Sequence, residues 1–131
     1  MALTQQQLEK LRQVRMFVLD MDGTIYLGES LFPFTKGFLR RVEETGRDFC
    51  FFTNNSSKNR EAYLEKLARM GISLPPEKML ISNGVILQWL GQHHPGARCY
   101  VVGTPALRED FRKAGFAPDA EDGDVVILGF D

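Results

Sequence analysis

The chain has 131 residues, with a hydrophobic fraction of 44% and a charged fraction of 25%, which is typical of a soluble globular protein of about one domain. Its formal net charge of −1 provides no basic surface for nucleic acid or anionic membranes, and no apolar run approaches the ~20 residues of a membrane span. The N-terminal residues lack the order of a signal peptide, so we expect a cytoplasmic protein whose Cys50 and Cys99 are buried, reduced thiols.

Short apolar runs alternate with amphipathic segments of helical length along the whole chain. Five runs are predicted as strands, at residues 16–20, 48–52, 79–82, 98–103 and 124–130. Five segments are predicted as helices, at residues 4–13, 36–45, 59–70, 85–92 and 105–115. Thr4 and Gln7 fit a capping box at the start of the first helix, and residues 21–35 are predicted as a loop. This alternation predicts an α/β fold with a parallel sheet and flanking helices, and the unbroken apolar runs predict buried strands.

Two carboxylates, Asp20 and Asp22, follow the first predicted strand, and Gly23 turns the chain directly after them. Ligands of open α/β sheets bind outside the carboxyl ends of the strands, so both carboxylates can approach one site. Mg²⁺ would offset their repulsion, because it binds one or two carboxylates and completes its shell with water and phosphate oxygens. Asp20 would then attack phosphorus, and Asp22 would act as general acid and base. The alternative is an ordinary turn with no catalytic role.

A second polar cluster, Thr53-Asn54-Asn55-Ser56-Ser57, ends the second predicted strand and precedes a helix. A hydroxyl group and backbone N–H groups at the start of a helix form an anion site. The alternative is ordinary N-capping, which explains one of the five polar residues but not why Thr53 ends the strand. Carboxylates after one strand and phosphate-binding donors after the other predict a phosphoryl-transfer site.

The segments LDMDGTIY and FFTNNSS resemble the first and second motifs of the haloacid dehalogenase (HAD) superfamily. Together with ISNG, YVVGTPAL, KAGF and VVILGFD, they make the chain similar to the NagD-like, 4-nitrophenylphosphatase-type branch throughout its length. The resemblance implies a Rossmann-like (HAD-like) catalytic core, whose N-terminal part is residues 1–88, and an inserted α/β cap, whose first part is residues 89–131. It also implies Mg²⁺-dependent hydrolysis of small phosphate monoesters, of the sugar-phosphate, nucleotide or 4-nitrophenyl phosphate type, through an aspartyl-phosphate.

The resemblance further implies a role for each matching residue. Asp20 is the nucleophile and Asp22 the general acid/base, and both are metal-binding, Asp20 through its carboxylate and Asp22 through its backbone carbonyl. Phosphate-binding residues are implied at Thr53, Asn54, Asn55 and Gly23. An acid two places after the nucleophile suits an alkoxide-like leaving group and hence ester hydrolysis. A phosphomutase of the same superfamily would carry the same two motifs.

The family also requires a lysine and an acidic Gly-Asp motif, and neither has a convincing match in this chain. Lys113 lies on an amphipathic helix with two arginines, and EDGD (121–124) lacks a preceding apolar strand. We therefore expect the N-terminal portion of a phosphatase, one that binds Mg²⁺ weakly and turns over slowly. Its expected partner is a small phosphorylated metabolite, not nucleic acid or a membrane.

Unpaired strand edges in a partial cap predict self-association near residues 98–103 or 124–130, giving a homo-oligomer. Two other functions compete with the phosphatase. One is a non-catalytic HAD-fold binding or scaffold domain. The other is a nucleotide-binding dehydrogenase domain, which the absence of a glycine-rich loop after the first strand disfavours.

Overall fold

The computed structural model describes residues 2–130, and the chain divides into two compact units, Met1–Phe51 and Phe52–Asp131. Strands and helices alternate along both units, which confirms the α/β fold class, and parallel strand pairs occur in each. In the described part of the chain, no helix is both long enough and apolar enough to cross a membrane.

The first unit contains three short strands and two helices before a longer strand leads into the second unit. They are α1 (Gln5–Gln13), β1 (Met16–Leu19), β2 (Tyr26–Leu27), β3 (Ser30–Leu31), α2 (Thr35–Glu44) and β4 (Asp48–Thr53). The predicted capping box is confirmed at the start of α1. The Gln7 N–H donates to Thr4 Oγ1 at 3.2 Å, and the Thr4 N–H donates to Gln7 Oε1 at 2.8 Å.

β1 and β4 pair in parallel, in a register that runs from Met16↔Asp48 to Leu19↔Phe51. α2 packs on β1 through an edge-to-face contact between Phe38 and Phe17, whose ring centroids are 5.7 Å apart. The expectation that β1 is buried on both faces is wrong, because Met16 and Val18 are exposed. Successive side chains of a strand point to opposite faces, and these two lie on the face that solvent reaches.

Residues 21–35 are not the simple loop that the sequence predicts, because β2 and β3 form a short antiparallel hairpin within them. The register pairs Tyr26 with Leu31 and Leu27 with Ser30, which leaves Gly28 and Glu29 as a two-residue turn. Gly28 has a φ of 59°, and a Gly-X pair with positive φ at the first position is a favoured hairpin turn. The strands are two residues long, too short for a periodic pattern to be visible.

The second unit carries three helices and three strands, with a 3₁₀ turn at Pro76–Lys78. They are α3 (Arg60–Arg69), β5 (Met79–Ile81), α4 (Ser82–His93), β6 (Cys99–Val102), α5 (Pro105–Lys113) and β7 (Val125–Leu128). α3 and α4 both contact β5, and α4 also contacts α5. α4 begins three residues before its predicted start, because Ser82, Asn83 and Gly84 form its first turn.

β6 and β7 pair in parallel from Cys99↔Val125 to Val102↔Leu128. One face of this pair and the helices beside it enclose a hydrophobic cluster. Its buried members are Leu90, Cys99, Val101, Leu107, Phe111 and Phe116. The opposite face is exposed, so the expectation of buried strands is wrong here as well. That face carries Tyr100, Val102, Val126 and Leu128.

Candidate active site

Asp20 and Asp22 lie in the turn that follows β1, and both side chains are exposed. The side chain of Met21 between them is completely buried. The chain folds over this residue, because the N–H groups of Thr24 and Ile25 both donate to the Met21 carbonyl, at 3.1 and 3.0 Å. Burial of Met21 therefore anchors the turn and leaves the two flanking carboxylates accessible to a ligand.

Gly23 and Tyr26 complete the turn. Gly23 has a φ of 75°, a conformation that favours glycine, and its N–H donates to the Tyr26 carbonyl at 2.8 Å. The buried Tyr26 donates its hydroxyl to Asp22 Oδ2 at 3.4 Å. The buried Thr35 hydroxyl donates to the Ile25 carbonyl at 2.6 Å and ties the turn to the start of α2. Asp22 is thus oriented by a residue that is itself fixed by packing.

The donor chemistry of this turn fits Mg²⁺. Two exposed carboxylates one residue apart supply the oxygen ligands that this cation takes from a protein, and they leave room for water and substrate oxygens. Within residues 2–130, no group of three or more His, Cys, Asp or Glu side chains is arranged to hold a metal ion. A pair of carboxylates suits a hard cation that shares its coordination shell with solvent and ligand.

The second motif lies at the end of β4, in the second unit. Thr53 is 3% exposed, and its Oγ1 accepts from the Asn55 N–H at 3.1 Å. Asn55 in turn accepts, through Oδ1, from the Ser57 N–H at 3.0 Å. α3 starts later than these residues, with Asn59 as its N-cap. Thr53 therefore ends β4, and Asn54 and Asn55 belong to the hydrogen-bonded loop that follows it, not to the first turn of a helix.

Asn83 is a polar residue of this unit that the site prediction omitted. It is 3% exposed, and its Nδ2 donates to the Lys58 carbonyl at 3.3 Å and to Asp110 Oδ2 at 3.1 Å. Asn83 lines two cavities, one of about 280 Å³ shared with Asp110 and one of about 390 Å³ shared with Asn54 and Ser56. Its sequence signal is the polar pair Ser82-Asn83 that follows a strand, in ISNG, a layout similar to that of the two recognised motifs.

The acidic residues near the end of the chain form ion pairs. Arg98 contacts Asp122 at 2.5 Å and Asp124 at 3.2 Å. Asp119 accepts from Arg108 at 2.8 Å and from Arg112 at 3.0 Å. Asp122 and Asp124 of the segment EDGD are therefore exposed and paired with Arg98, and Arg108 and Arg112 of α5 are paired with Asp119.

The model of the haloacid dehalogenase-like hydrolase family matches residues 17–117. An acid sugar phosphatase of Staphylococcus aureus is 30% identical over 122 residues, which are 92% of this chain and 47% of that protein. The 4-nitrophenylphosphatase of Thermotoga maritima superposes with a TM-score of 0.87 at 38% identity, over 92% of this chain and 46% of that one. NagD from E. coli K-12 superposes with a TM-score of 0.77 at 25% identity, over 90% of this chain and 47% of that one. The chain thus spans about half the length of the relatives it matches.

Proposed function

Because the chain belongs to the haloacid dehalogenase-like hydrolase family, we propose that it carries the nucleophile and the phosphate-binding loop of a Mg²⁺-dependent phosphatase. The substrates would be small phosphate monoesters of the sugar-phosphate, nucleotide or 4-nitrophenyl phosphate type. The observation that carries the proposal is the turn after β1, where Asp20 and Asp22 are exposed on either side of the buried Met21. The phosphatase names of the matched relatives support the same reaction class.

In this proposal Asp20 and Asp22 divide the chemistry. A carboxylate oxygen of Asp20 attacks phosphorus, the bond from phosphorus to the ester oxygen breaks, and Asp22 gives that oxygen a proton. Asp22 then takes a proton from water, which attacks the aspartyl-phosphate and releases inorganic phosphate and free Asp20. The hydrogen bond from Tyr26 supports the assignment of Asp22, since a proton donor must be held in a fixed orientation.

The remaining assignments follow the family resemblance. Thr53, Asn54, Asn55 and Gly23 would bind the phosphate. The Asp20 carboxylate and the Asp22 backbone carbonyl would hold Mg²⁺. When bound, the cation offsets the repulsion between carboxylate and phosphate. The partner would be a small phosphorylated metabolite and the location cytoplasmic.

We also propose the division into a core part at 1–88 and a cap part at 89–131, although α4 (Ser82–His93) runs across this boundary. Homo-oligomerisation would use the exposed face of β6 and β7. The 131-residue chain alone would turn over slowly, because the lysine and the acidic Gly-Asp motif of the family have no match in it. Substantial Mg²⁺-dependent phosphatase activity from the verified 131-residue chain would contradict this expectation.

The phosphatase proposal is tested by trapping a mimic of the aspartyl-phosphate. Beryllofluoride and Mg²⁺ are added to the wild type, Asp20→Asn and Asp122→Asn, and bound fluoride is observed by ¹⁹F NMR. We expect a Mg²⁺-dependent complex in the wild type and in Asp122→Asn, whose carboxylate pairs with Arg98, and none in Asp20→Asn. Absence of the complex in the folded wild type would favour the non-catalytic scaffold.

A further inference from the structure

The loop Asn54–Lys58, which follows Thr53, is held in place by side chains from several parts of the second unit. Four of its backbone carbonyls accept hydrogen bonds: Asn54 from Ser82 at 3.3 Å, Asn55 from Tyr63 at 3.3 Å, Ser57 from Thr104 at 3.0 Å and Lys58 from Asn83 at 3.3 Å. Such a density of side-chain donors on five consecutive residues exceeds what a surface loop needs, since most loop carbonyls are satisfied by water.

Ser56 is a further link, made by its side chain. Its Oγ accepts from the Phe130 N–H at 2.5 Å, and Ser56 is 8% exposed. Phe130 follows β7, and the adjacent Gly129 donates its N–H to the Val102 carbonyl of β6 at 2.8 Å. A buried hydroxyl that loses its partner costs free energy, so this contact resists opening. The end of β7 is thereby attached to the middle of the loop.

Thr104 makes the corresponding link from α5. As the N-cap of that helix, its Oγ1 accepts from the Leu107 N–H at 3.2 Å, and the same hydroxyl donates to the Ser57 carbonyl. Asn83 adds an indirect connection, because its Nδ2 bridges the Lys58 carbonyl and Asp110 of α5. β6, α5 and β7 surround the hydrophobic cluster of this unit, so they respond to a displacement together.

We propose that the block formed by β6, α5 and β7 positions the loop Asn54–Lys58, and through it Thr53 at the end of β4, with Ser56 and Thr104 as positioning residues. The inference rests on the phosphate-binding role proposed for that loop. Two hydrogen bonds would transmit a shift of the block along this loop. The Ser57 N–H donates to Asn55 Oδ1, and the Asn55 N–H donates to Thr53 Oγ1.

The test uses three substitutions of Thr104 in the whole chain, read by amide ¹H–¹⁵N chemical shifts. Thr104→Asp keeps an N-cap acceptor but has no hydroxyl to donate, Thr104→Val removes both functions, and Thr104→Ser keeps both. We expect the amide signals of Thr53, Asn54 and Asn55 to move in Thr104→Asp and Thr104→Val and to stay near their wild-type values in Thr104→Ser. Thr104→Asp also places a charge near the Ser57 carbonyl, so the neutral Thr104→Val separates the loss of the hydrogen bond from a direct electrostatic effect on the amide shifts.

A control and a second variant guard against a general loss of structure. Thr45→Ala deletes a hydroxyl that donates to carbonyls of α2 in the first unit, and it should leave the three amides unchanged. Ser56→Ala should accelerate hydrogen exchange of the Phe130 amide about three- to tenfold, the effect of one lost hydrogen bond. The inference is overturned if Thr104→Asp shifts the three amides no more than Thr45→Ala does, or if Phe130 exchange is unchanged in Ser56→Ala.

Titration with inorganic phosphate separates this inference from the proposed function. If the wild type binds phosphate, Thr104→Asp should weaken binding about three- to tenfold, and Thr104→Ser should restore the wild-type affinity. If the wild type does not bind phosphate, the proposed function loses support, while the amide shifts and the exchange of Phe130 still decide whether the block positions the loop.

Discussion

Arg98 shows how a single side chain connects two strands of the second unit. It directly precedes β6, and Asp124 directly precedes β7. The Arg98 backbone N–H and guanidinium both donate to the Asp124 carboxylate, at 3.2 to 3.4 Å. These hydrogen bonds lower the pKa of Asp124 below its ordinary value and raise the pKa of Arg98. The ion pair, together with the backbone hydrogen bond from the Asp124 N–H to the Arg98 carbonyl at 2.8 Å, links the two strands at the point where both begin.

Replacement of Arg98 by alanine should raise the pKa of Asp124 to its ordinary range. In the wild type the lowered pKa contributes stability that is present above the unfolded-state value near 3.8 and is lost as pH falls through the folded-state pKa. The free energy of unfolding of Arg98→Ala should therefore decrease less than that of the wild type as the pH falls through this range. Carboxyl ¹³C titration by NMR measures the pKa, with Arg47→Ala, whose guanidinium contacts a backbone carbonyl, as control. An unmoved Asp124 pKa would contradict the assignment.

Cys99 and Cys50 should differ in reactivity. Both are free cysteines. Cys99 is completely buried in the hydrophobic cluster, as expected, whereas Cys50 is half-buried in β4, so the expectation of a buried thiol is wrong for Cys50. Burial, reinforced by the nearby charge of Asp124, raises the pKa of the Cys99 thiol and disfavours the reactive thiolate. We expect iodoacetamide to label Cys50 at least about tenfold faster than Cys99 in the native protein and the two at similar rates in urea. Peptide mass spectrometry gives both labelling rates, and equal rates in the native protein would contradict the prediction.

At the scale of elements, α5 shows why an amphipathic helix is predictable. Leu107 and Phe111, four residues apart, are its buried residues and enter the hydrophobic cluster. The exposed face carries Arg108 and Arg112, which both pair with Asp119. Because residues four apart lie on the same face of a helix, the spacing of apolar and charged residues predicts which face of α5 is buried.

Truncation of Phe111 to alanine should destabilise the protein by about 3–5 kcal/mol, the usual effect of removing a fully buried aromatic ring. The loss combines the burial of the ring with the cavity left beside Phe116, whose ring centroid lies 6.2 Å away. Phe34→Ala is the matched control, because Phe34 is 60% exposed and should change stability by less than about 1 kcal/mol. Urea unfolding curves measure both, and equal effects would contradict the assigned core.

At the scale of the whole molecule, the exposed face of β6 and β7 is the surface on which we expect self-association. Val126 is 62% exposed and Leu128 79%, and the register places Tyr100 and Val102 beside them. A continuous apolar face of this kind is expected to be covered by another surface in solution. A second copy of the chain would cover it by placing the same face against itself.

The chain should therefore form a dimer or larger assembly whose mass rises with concentration. Leu128→Lys should shift the equilibrium towards the monomer, because a charge in the centre of an apolar contact must be desolvated. Phe34→Lys, on an exposed residue of the first unit, should leave the association unchanged. Sedimentation equilibrium at several concentrations measures the mass of each protein, and a wild-type monomer at every concentration would rule out this assembly.

The sequence alone was sufficient for the features that depend on local pattern. The five helices, the parallel pairing of β1 with β4 and the capping box of Thr4 and Gln7 all follow from spacing and from residues with one strong preference. The assignment of Asp20 and Asp22 as catalytic residues remains a prediction of motif chemistry. Membership of the hydrolase family agrees with the motifs that indicated it.

Only the tertiary structure decided which apolar side chains are buried and which polar groups form hydrogen bonds with each other. The apolar runs predict Val18 and Leu128 as core residues, but both are exposed. An apolar run does not specify whether other elements cover both faces of the strand that it forms. The hairpin of β2 and β3 is too short for a periodic signal. The bond from Phe130 to Ser56 joins residues 74 positions apart, and no local pattern encodes such a partner. Long-range hydrogen bonds arise from packing, and packing is a property of the folded chain.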